Sequence, residues 1–306
     1  RMASAKTEEE TSDPLANWKA GRWSVKTVGG VKRRFWLGAD GSVYKGGLVD
    51  PTWGAKAKAG FWAYADPTTG NTVIGRLATI YDGKKVVFLS DANGKLKKQK
   101  GGWLKTGIYT NGTKHRYYID PMVHGAIVGY AAQKGKVYAH YTLPDTGYVL
   151  TKRLKVGKKV YLANAKGRVI GKADGGWTVT GEFTKGVLQR YYIKNGAARV
   201  GHFKAKAEDG KTYHYYGTSK GYVLRGKKRM GTGMLVADND GKLAWGSGWL
   251  TTKRYDGTSQ KYYLGSIGKG LKGAKVGLLT VRGKRYYGRE DKGYIVRNGS
   301  YAINKA

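Results

Sequence analysis

Cysteine is absent from the 306 residues, which excludes a disulfide framework and a thiolate metal site while leaving the compartment open. Proline is scarce, with 5 residues, and phenylalanine equally so. No run of about 18 apolar residues occurs, so no stretch reads as a membrane-spanning helix. No segment of about ten residues or more carries 3.6-residue apolar periodicity, and the density of glycine opposes helix formation. Acidic residues are few: 20 Asp and Glu face 57 Lys and Arg.

The chain is rich in glycine (49), tyrosine (24) and tryptophan (9). This mixture suits short strands joined by glycine turns, with rings supplying buried area that a thin array cannot draw from a globular core. The net charge of +37 is spread along the chain; only the first seventeen residues lean acidic, through Glu8, Glu9, Glu10 and Asp13. Self-repulsion on this scale points to a partner of dense negative charge. The opening Arg1-Met2-Ala3 and the stretch from Thr7 to Pro14 lack apolar periodicity, which reads as an excised fragment or a linker after a removed leader.

The dominant signal is internal repetition. Gly102-Trp103 followed by Arg116-Tyr117-Tyr118-Ile119 returns as Gly176-Trp177 with Arg190-Tyr191-Tyr192-Ile193, and as Gly248-Trp249 with Lys261-Tyr262-Tyr263-Leu264. A weaker copy runs from Arg22-Trp23 to Arg34-Phe35-Trp36-Leu37. A second landmark, Gly147-Tyr148-Val149-Leu150, recurs at Gly221 and Gly293 with spacings of 74 and 72, the same as those of the three tryptophans. Three smaller phrases fill each period, so the structural unit is about 24 residues long, within the range of solenoid repeats.

Each phrase reads as strand, turn and strand. Turns are expected at Asp91 to Gly94, Asn164 to Gly167 and Asp238 to Gly241, where Asp or Asn precedes a glycine that takes positive φ. In this reading Gly157–Leu162 pairs with Arg168–Ile170 across the Asn164 turn, and Gly210–Tyr215 pairs with Gly221–Leu224. The fold class is all-β, an elongated solenoid of about eleven stacked hairpins. Residues 1–17 are assigned to a linker and 18–306 to the array, with larger repeats at 18–74, 75–146, 147–220 and 221–292 and a terminal cap at 293–306. Alternation along a strand places one tyrosine of each pair inside and the other outside. The tryptophan then lies near the junction between consecutive hairpins, in a shallow ring-lined slot.

These features resemble the cell-wall-binding repeats of Gram-positive surface proteins, which include choline-binding and glucan-binding branches, and the resemblance spans roughly Trp18 to Ala306. It implies a β-hairpin solenoid that holds a secreted protein to the envelope, located outside the cell. In the choline branch three rings from adjacent hairpins cage a quaternary ammonium. This sequence departs from that pattern, because the triplet that usually reads Trp-Tyr-Tyr begins here with Arg34, Arg116, Arg190 or Lys261. A cation beside the slot repels another cation and suits a sugar carrying phosphate or carboxylate, since rings stack on pyranose faces and arginine binds such anions bidentately. The candidate ligand-binding residues are Trp23, Arg34, Trp36, Trp103, Arg116, Tyr118, Trp177, Arg190, Tyr192, Trp249, Lys261 and Tyr263.

Nothing in the sequence marks catalysis. His115, His124, His140, His202 and His214 show no metal-binding spacing, and the carboxylates Asp120, Glu182, Glu208, Asp209, Glu290 and Asp291 form no recognisable glycosidase pair. The Gly-x-Gly at Gly231 lacks the rest of a phosphate loop. No cofactor is expected. The function expected is a non-catalytic module binding an anionic wall glycopolymer such as teichoic acid. The alternative is an adhesin for host sulfated glycans or extracellular nucleic acid, which a basic surface with interleaved rings also serves.

Overall fold

The computed structural model describes residues 12–132, 139–171 and 175–297. The first eleven residues of the expected linker and the expected cap from residue 298 onward lie outside the described residues. Two compact units result, one formed by residues 1–131 and 140–150, the other by residues 132–139 and 151–306. Among the described residues the structure of each unit is β, apart from one helical turn at Ala16–Lys19 in the first. Strand pairs open at Arg22, Leu48, Gly75, Gly102, Gly129, Arg153, Gly176, Gly201, Gly226, Gly248 and Gly277, eleven openings in the described residues. None of the described helices is long and apolar enough to cross a membrane.

In the first unit Arg22–Val28 pairs with Val31–Leu37, Gly75–Tyr81 with Lys84–Ser90, and Gly102–Thr106 with His115–Ile119, all antiparallel. In the second unit two five-stranded sheets share one topology. The first runs in the order Arg153–Val156, Lys159–Leu162, Ala197–Arg199, Gln189–Lys194, Gly176–Thr180. Its counterpart runs Gly226–Met230, Gly233–Ala237, Leu271–Lys275, Gln260–Gly268, Gly248–Thr252. Two-residue turns close many of these pairs, such as Gly157-Lys158 between Val156 and Lys159.

The expected turns at Asp91, Asn164 and Asp238 form as Asx turns, in which the Oδ1 of Asn164 accepts the N–H groups of Lys166 and Arg168, both at 3.0 Å. Gly167 takes a φ of 79°, available without strain only to glycine. What these turns join differs from the sequence reading. Lys159–Leu162 finds its full antiparallel partner upstream in Arg153–Val156, and the Asn164 turn closes only the single bridge Ala163↔Val169. Likewise Thr212–Gly217 pairs with Gly201–Lys206, and the Gly221 segment returns through the bridge Gly217↔Val223. A tight turn decides that the chain reverses; the longer pairing wins because it makes more ladder bonds.

The return segments stitch neighbouring hairpins together. The carbonyls of Arg34 and Arg116 accept the N–H groups of Thr72 and Val149 in the first unit. Those of Arg190, His214 and Lys261 accept Val223, Leu243 and Ile295 in the second. The Gly-Tyr-Val-Leu landmark thereby acquires a reason. Its glycine lies against the core, where a Cβ on Gly221 would stand 3.1 Å from both Ala198 Cβ and Val160 Cβ. Its tyrosine meets the buried tyrosine of the repeat edge-on: Tyr148 with Tyr117 at 6.1 Å, Tyr222 with Tyr191 at 6.3 Å, and Tyr294 with Tyr262 at 6.3 Å. Tyr117, Tyr191 and Tyr262 are fully buried, with 0% exposure, whereas Tyr118, Tyr192 and Tyr263 are half-buried. One ring of each pair thus builds a core cluster with residues such as Val160, Leu162, Ile193 and Ala198.

Candidate functional site

The antiparallel register sets each tryptophan directly across from the outer tyrosine: Trp103↔Tyr118, Trp177↔Tyr192 and Trp249↔Tyr263. Residues opposite one another share a face, and so do residues two apart on one strand. The basic residue two positions before the outer tyrosine therefore joins the same face. Ring centroids lie 5.2, 5.1 and 4.9 Å apart in the three pairs. The cation packs over the indole: Arg190 Cζ is 4.4 Å from the centroid of Trp177, and Lys261 Nζ is 4.1 Å from that of Trp249. The basic position is thus a packing position as well as a charge.

A third ring comes from the following hairpin, and the sequence reading did not single it out. His140 lies 5.4 Å from Trp103 and 4.9 Å from Tyr118. Phe203 stacks on Tyr192 at 5.3 Å while Tyr215 meets Trp177 at 4.7 Å, and Tyr286 meets Trp249 at 4.8 Å. In the weak copy Phe61 stacks on Trp23 at 5.4 Å, with Arg34 Cζ 5.9 Å from Trp23 and 6.0 Å from Phe61. The third residue varies among His, Phe and Tyr, so the repetition that marks the other positions is missing here. Aromatic content in the strand after each Gly-Trp phrase is the signal that remains.

The four grooves differ in what they leave open. Trp249 is the most accessible tryptophan, at 39% exposure, and among the described residues no carboxylate pairs with Lys261. The same holds for Arg116 and Arg34. Arg190 is engaged: its Nη2 donates to Glu208 Oε1 at 2.8 Å and its Nη1 to the Asp240 carbonyl at 2.8 Å, with the side chain only 11% exposed. Its charge is therefore already met within the chain, which the sequence reading did not foresee. Trp36 departs further. It is fully buried, packs with Val49, Trp53, Ala59 and Ala63, and donates its indole N–H to the Trp18 carbonyl at 2.9 Å. The turn at Ala16–Lys19 and the loop carrying Trp53 cover it, so Trp36 is a core residue rather than part of a groove.

All five histidines lie against rings. His115 stacks on Tyr148 at 3.9 Å and His124 on Trp62 at 4.0 Å. His202 Nε2 and His214 Nδ1 share a hydrogen bond of 2.8 Å, and both imidazoles lie flat on Trp245 at 4.2 Å. Burial lowers the pKa of both, with Lys204 adding to the effect on His202 and the neighbouring imidazole adding to that on His214. His140 is 3% exposed, and burial pushes its pKa down to about 4, so it is neutral beside Trp103 and Tyr118. Among the described residues no three His, Asp or Glu side chains come together to hold a metal.

No family model matches this chain, and no curated protein matches it. Solved structures do. It is similar to CbpJ from Streptococcus pneumoniae TIGR4, at 18% identity over 90% of this chain and 94% of that one, with a TM-score of 0.42. It is similar to choline binding protein F from the same species, at 17% identity over 93% and 97% of the two chains, with a TM-score of 0.42. The modular autolysin LytC of that species, in complex with a synthetic peptidoglycan ligand, matches at 18% identity over 91% of this chain and 53% of its own, with a TM-score of 0.32. Over about nine tenths of its length, this chain resembles the choline-binding repeat proteins.

Proposed function

We propose that this chain is a non-catalytic cell-wall-binding module that holds a secreted protein to an anionic wall glycopolymer such as teichoic acid. The observation that carries the reading is the Trp249 groove, where an exposed indole, Tyr263 and Tyr286 frame an ammonium that no described carboxylate neutralises. A pyranose face has rings to stack on, and a phosphate or carboxylate beside it has Lys261 to pair with. A quaternary ammonium entering the same groove would have to displace a cation already seated on the indole, giving up a contact of about 0.5 to 2 kcal/mol. The grooves at Trp23, Trp103 with Arg116 and Tyr118, and Trp177 with Arg190 and Tyr192 repeat the arrangement with graded access. Several modest sites spaced along one chain suit a repetitive polymer, because binding at one site raises the effective concentration at the next.

The test is retention on purified Gram-positive walls before and after extraction of teichoic acid, at two salt concentrations. Retention should fall sharply on extraction, and free choline should not elute the protein. Undiminished retention on extracted walls overturns the anionic-polymer reading. Stronger retention on heparin or single-stranded DNA than on intact walls at near-physiological salt would favour the adhesin reading.

A further inference from the structure

Beside the Trp177 groove, whose Tyr192 and Phe203 line a neighbouring pocket with Lys194 and Arg199, the second unit contains a hollow of about 610 Å³ lined in part by Lys155, Lys158, Lys159, Lys194 and Arg199. Its walls come from two adjacent hairpins, at the Gly157-Lys158 turn and at Asn195, and from Val200, Gly201 and His202 at the start of the next. None of the described residues lining it is acidic, and none of the five cations takes part in an ion pair among the described residues. Lys159 and Arg199 stand directly opposite each other on neighbouring strands. Like charges so placed repel and destabilise the pair.

The fold does not require this. The next step of the same ladder is Val87↔Ala126, Val160↔Ala198 and Met234↔Ala274 in the three copies, which aligns them. At the position of Lys159↔Arg199 the other copies carry Val86↔Ile127 and Gly233↔Lys275. An apolar pair or a glycine serves the architecture there, and only the middle copy opposes two cations. Register and alternation add Lys194 to the same face, since Lys194 pairs with Ala197, two residues before Arg199.

We infer that this hollow is a binding site for consecutive phosphodiesters of a flexible polyol-phosphate chain. Several cations with no internal counterion need a ligand with more than one negative charge. Arg199 offers a planar fork to two oxygens of one phosphate, and the lysines meet its neighbours as point charges. The imidazole of His202 is the one ring among the described lining residues, so the hollow lacks the aromatic platform on which sugar faces or unpaired bases stack. Recognition here is of charge spacing along a backbone. The inference rests on the reading that the partner is an anionic wall polymer, and assigns that polymer's phosphates to the cations of this hollow, next to the rings of the Trp177 groove.

The experiment compares the intact chain, the double variant Lys159→Gln/Arg199→Gln, and the charge-matched control Lys26→Gln/Lys32→Gln in the first hairpin. The probe is a synthetic oligo(glycerol phosphate), titrated calorimetrically at low and near-physiological salt. Loss of the opposed pair should weaken binding about tenfold or more and flatten its salt dependence, with the control within about twofold of the intact chain. Without probe, the double variant should melt at a higher temperature in low salt, which also shows that it folds. Equal losses in the two variants, or a lower melting temperature for the Lys159/Arg199 variant, would overturn the site. Tighter binding of a single-stranded oligonucleotide of equal charge would overturn the polyol-phosphate assignment. The parent reading fails separately: walls stripped of teichoic acid would then retain the intact chain as before, whatever the oligomer does.

Discussion

Lys261 Nζ sits 4.1 Å from the centroid of the Trp249 indole without a carboxylate partner among the described residues, whereas the equivalent Arg190 over Trp177 donates to Glu208 and to the Asp240 carbonyl. Equivalent positions in the repeat thus hold one available cation and one committed cation. Lys261→Gln and Arg116→Gln should each weaken retention on walls by about threefold to tenfold at low salt, Lys261→Gln also losing about 0.5 to 1 kcal/mol of stability with its indole contact. Arg190→Gln should instead leave retention nearly unchanged and lower stability by about 1 kcal/mol, because Glu208 is largely exposed and the loss is shared with a cation–π contact. Paired wall-binding and urea-unfolding curves separate the two outcomes. Equal binding losses at all three positions would mean that Arg190 is as available as the others.

The buried face beneath the Trp249 groove contains a charge network. Asp256 accepts hydrogen bonds from both Lys227 and the Tyr262 hydroxyl, and the side chains of Lys227 and Asp256 are each 14% exposed. Asp256→Asn leaves a largely buried ammonium without its counterion and should destabilise the protein by about 3 kcal/mol. Replacing both partners, Lys227→Met with Asp256→Leu, should be less damaging than Asp256→Asn alone. Urea midpoints of the three proteins check the order, and a double variant worse than the single one would refute the account.

Gly221 and Gly210 allow backbone strain to be separated from crowding. Both take positive φ, 94° and 76°, but an added Cβ at Gly221 meets Ala198 and Val160 at 3.1 Å, whereas at Gly210 it meets nothing within 4 Å. Gly210→Ala should cost about 1 kcal/mol from the backbone alone, and Gly221→Ala at least about 2 kcal/mol. Thermal melts of the two variants would show the difference; equal shifts would mean that the return segment moves aside freely.

His140 makes stability depend on pH. Burial lowers its pKa from 6.5 to about 4, so the folded protein holds the imidazole neutral while the unfolded chain protonates it near 6.5. Its contribution is fully present above about pH 6.5, is lost progressively as pH falls toward about 4, and amounts to roughly 3 kcal/mol in all. Unfolding followed by urea between about pH 7 and about pH 4 should show this loss, and His140→Phe, which keeps a ring beside Trp103 and Tyr118, should flatten the part that His140 supplies. An unchanged slope in the variant would remove His140 as its source.

The alternation of strands and turns was legible because it is written in short-range chemistry. Asn164 to Gly167 turns the chain by an Asx hydrogen bond and one positive φ, both set within four residues. The split between Tyr191 inside and Tyr192 outside follows from a two-residue period that needs no knowledge of the partner strand. The repeat of Gly-Trp and Tyr-Tyr placed the grooves for the same reason.

Long-range pairing was not legible in this way. The sequence pairs Lys159–Leu162 with Arg168–Ile170 across the nearest turn, whereas the strand's partner is Arg153–Val156, which makes the longer ladder. Trp36 matches the outer aromatic of its repeat yet is sealed by Trp18 and Trp53, side chains 18 and 17 residues away along the chain. Arg190 reads as a free cation until the fold brings Glu208 and Asp240 to it. Local hydrogen bonding and side-chain period are properties of a few consecutive residues, and so they survive in the sequence. Burial and charge compensation are set by distances through space, and those exist only once the hairpins have packed.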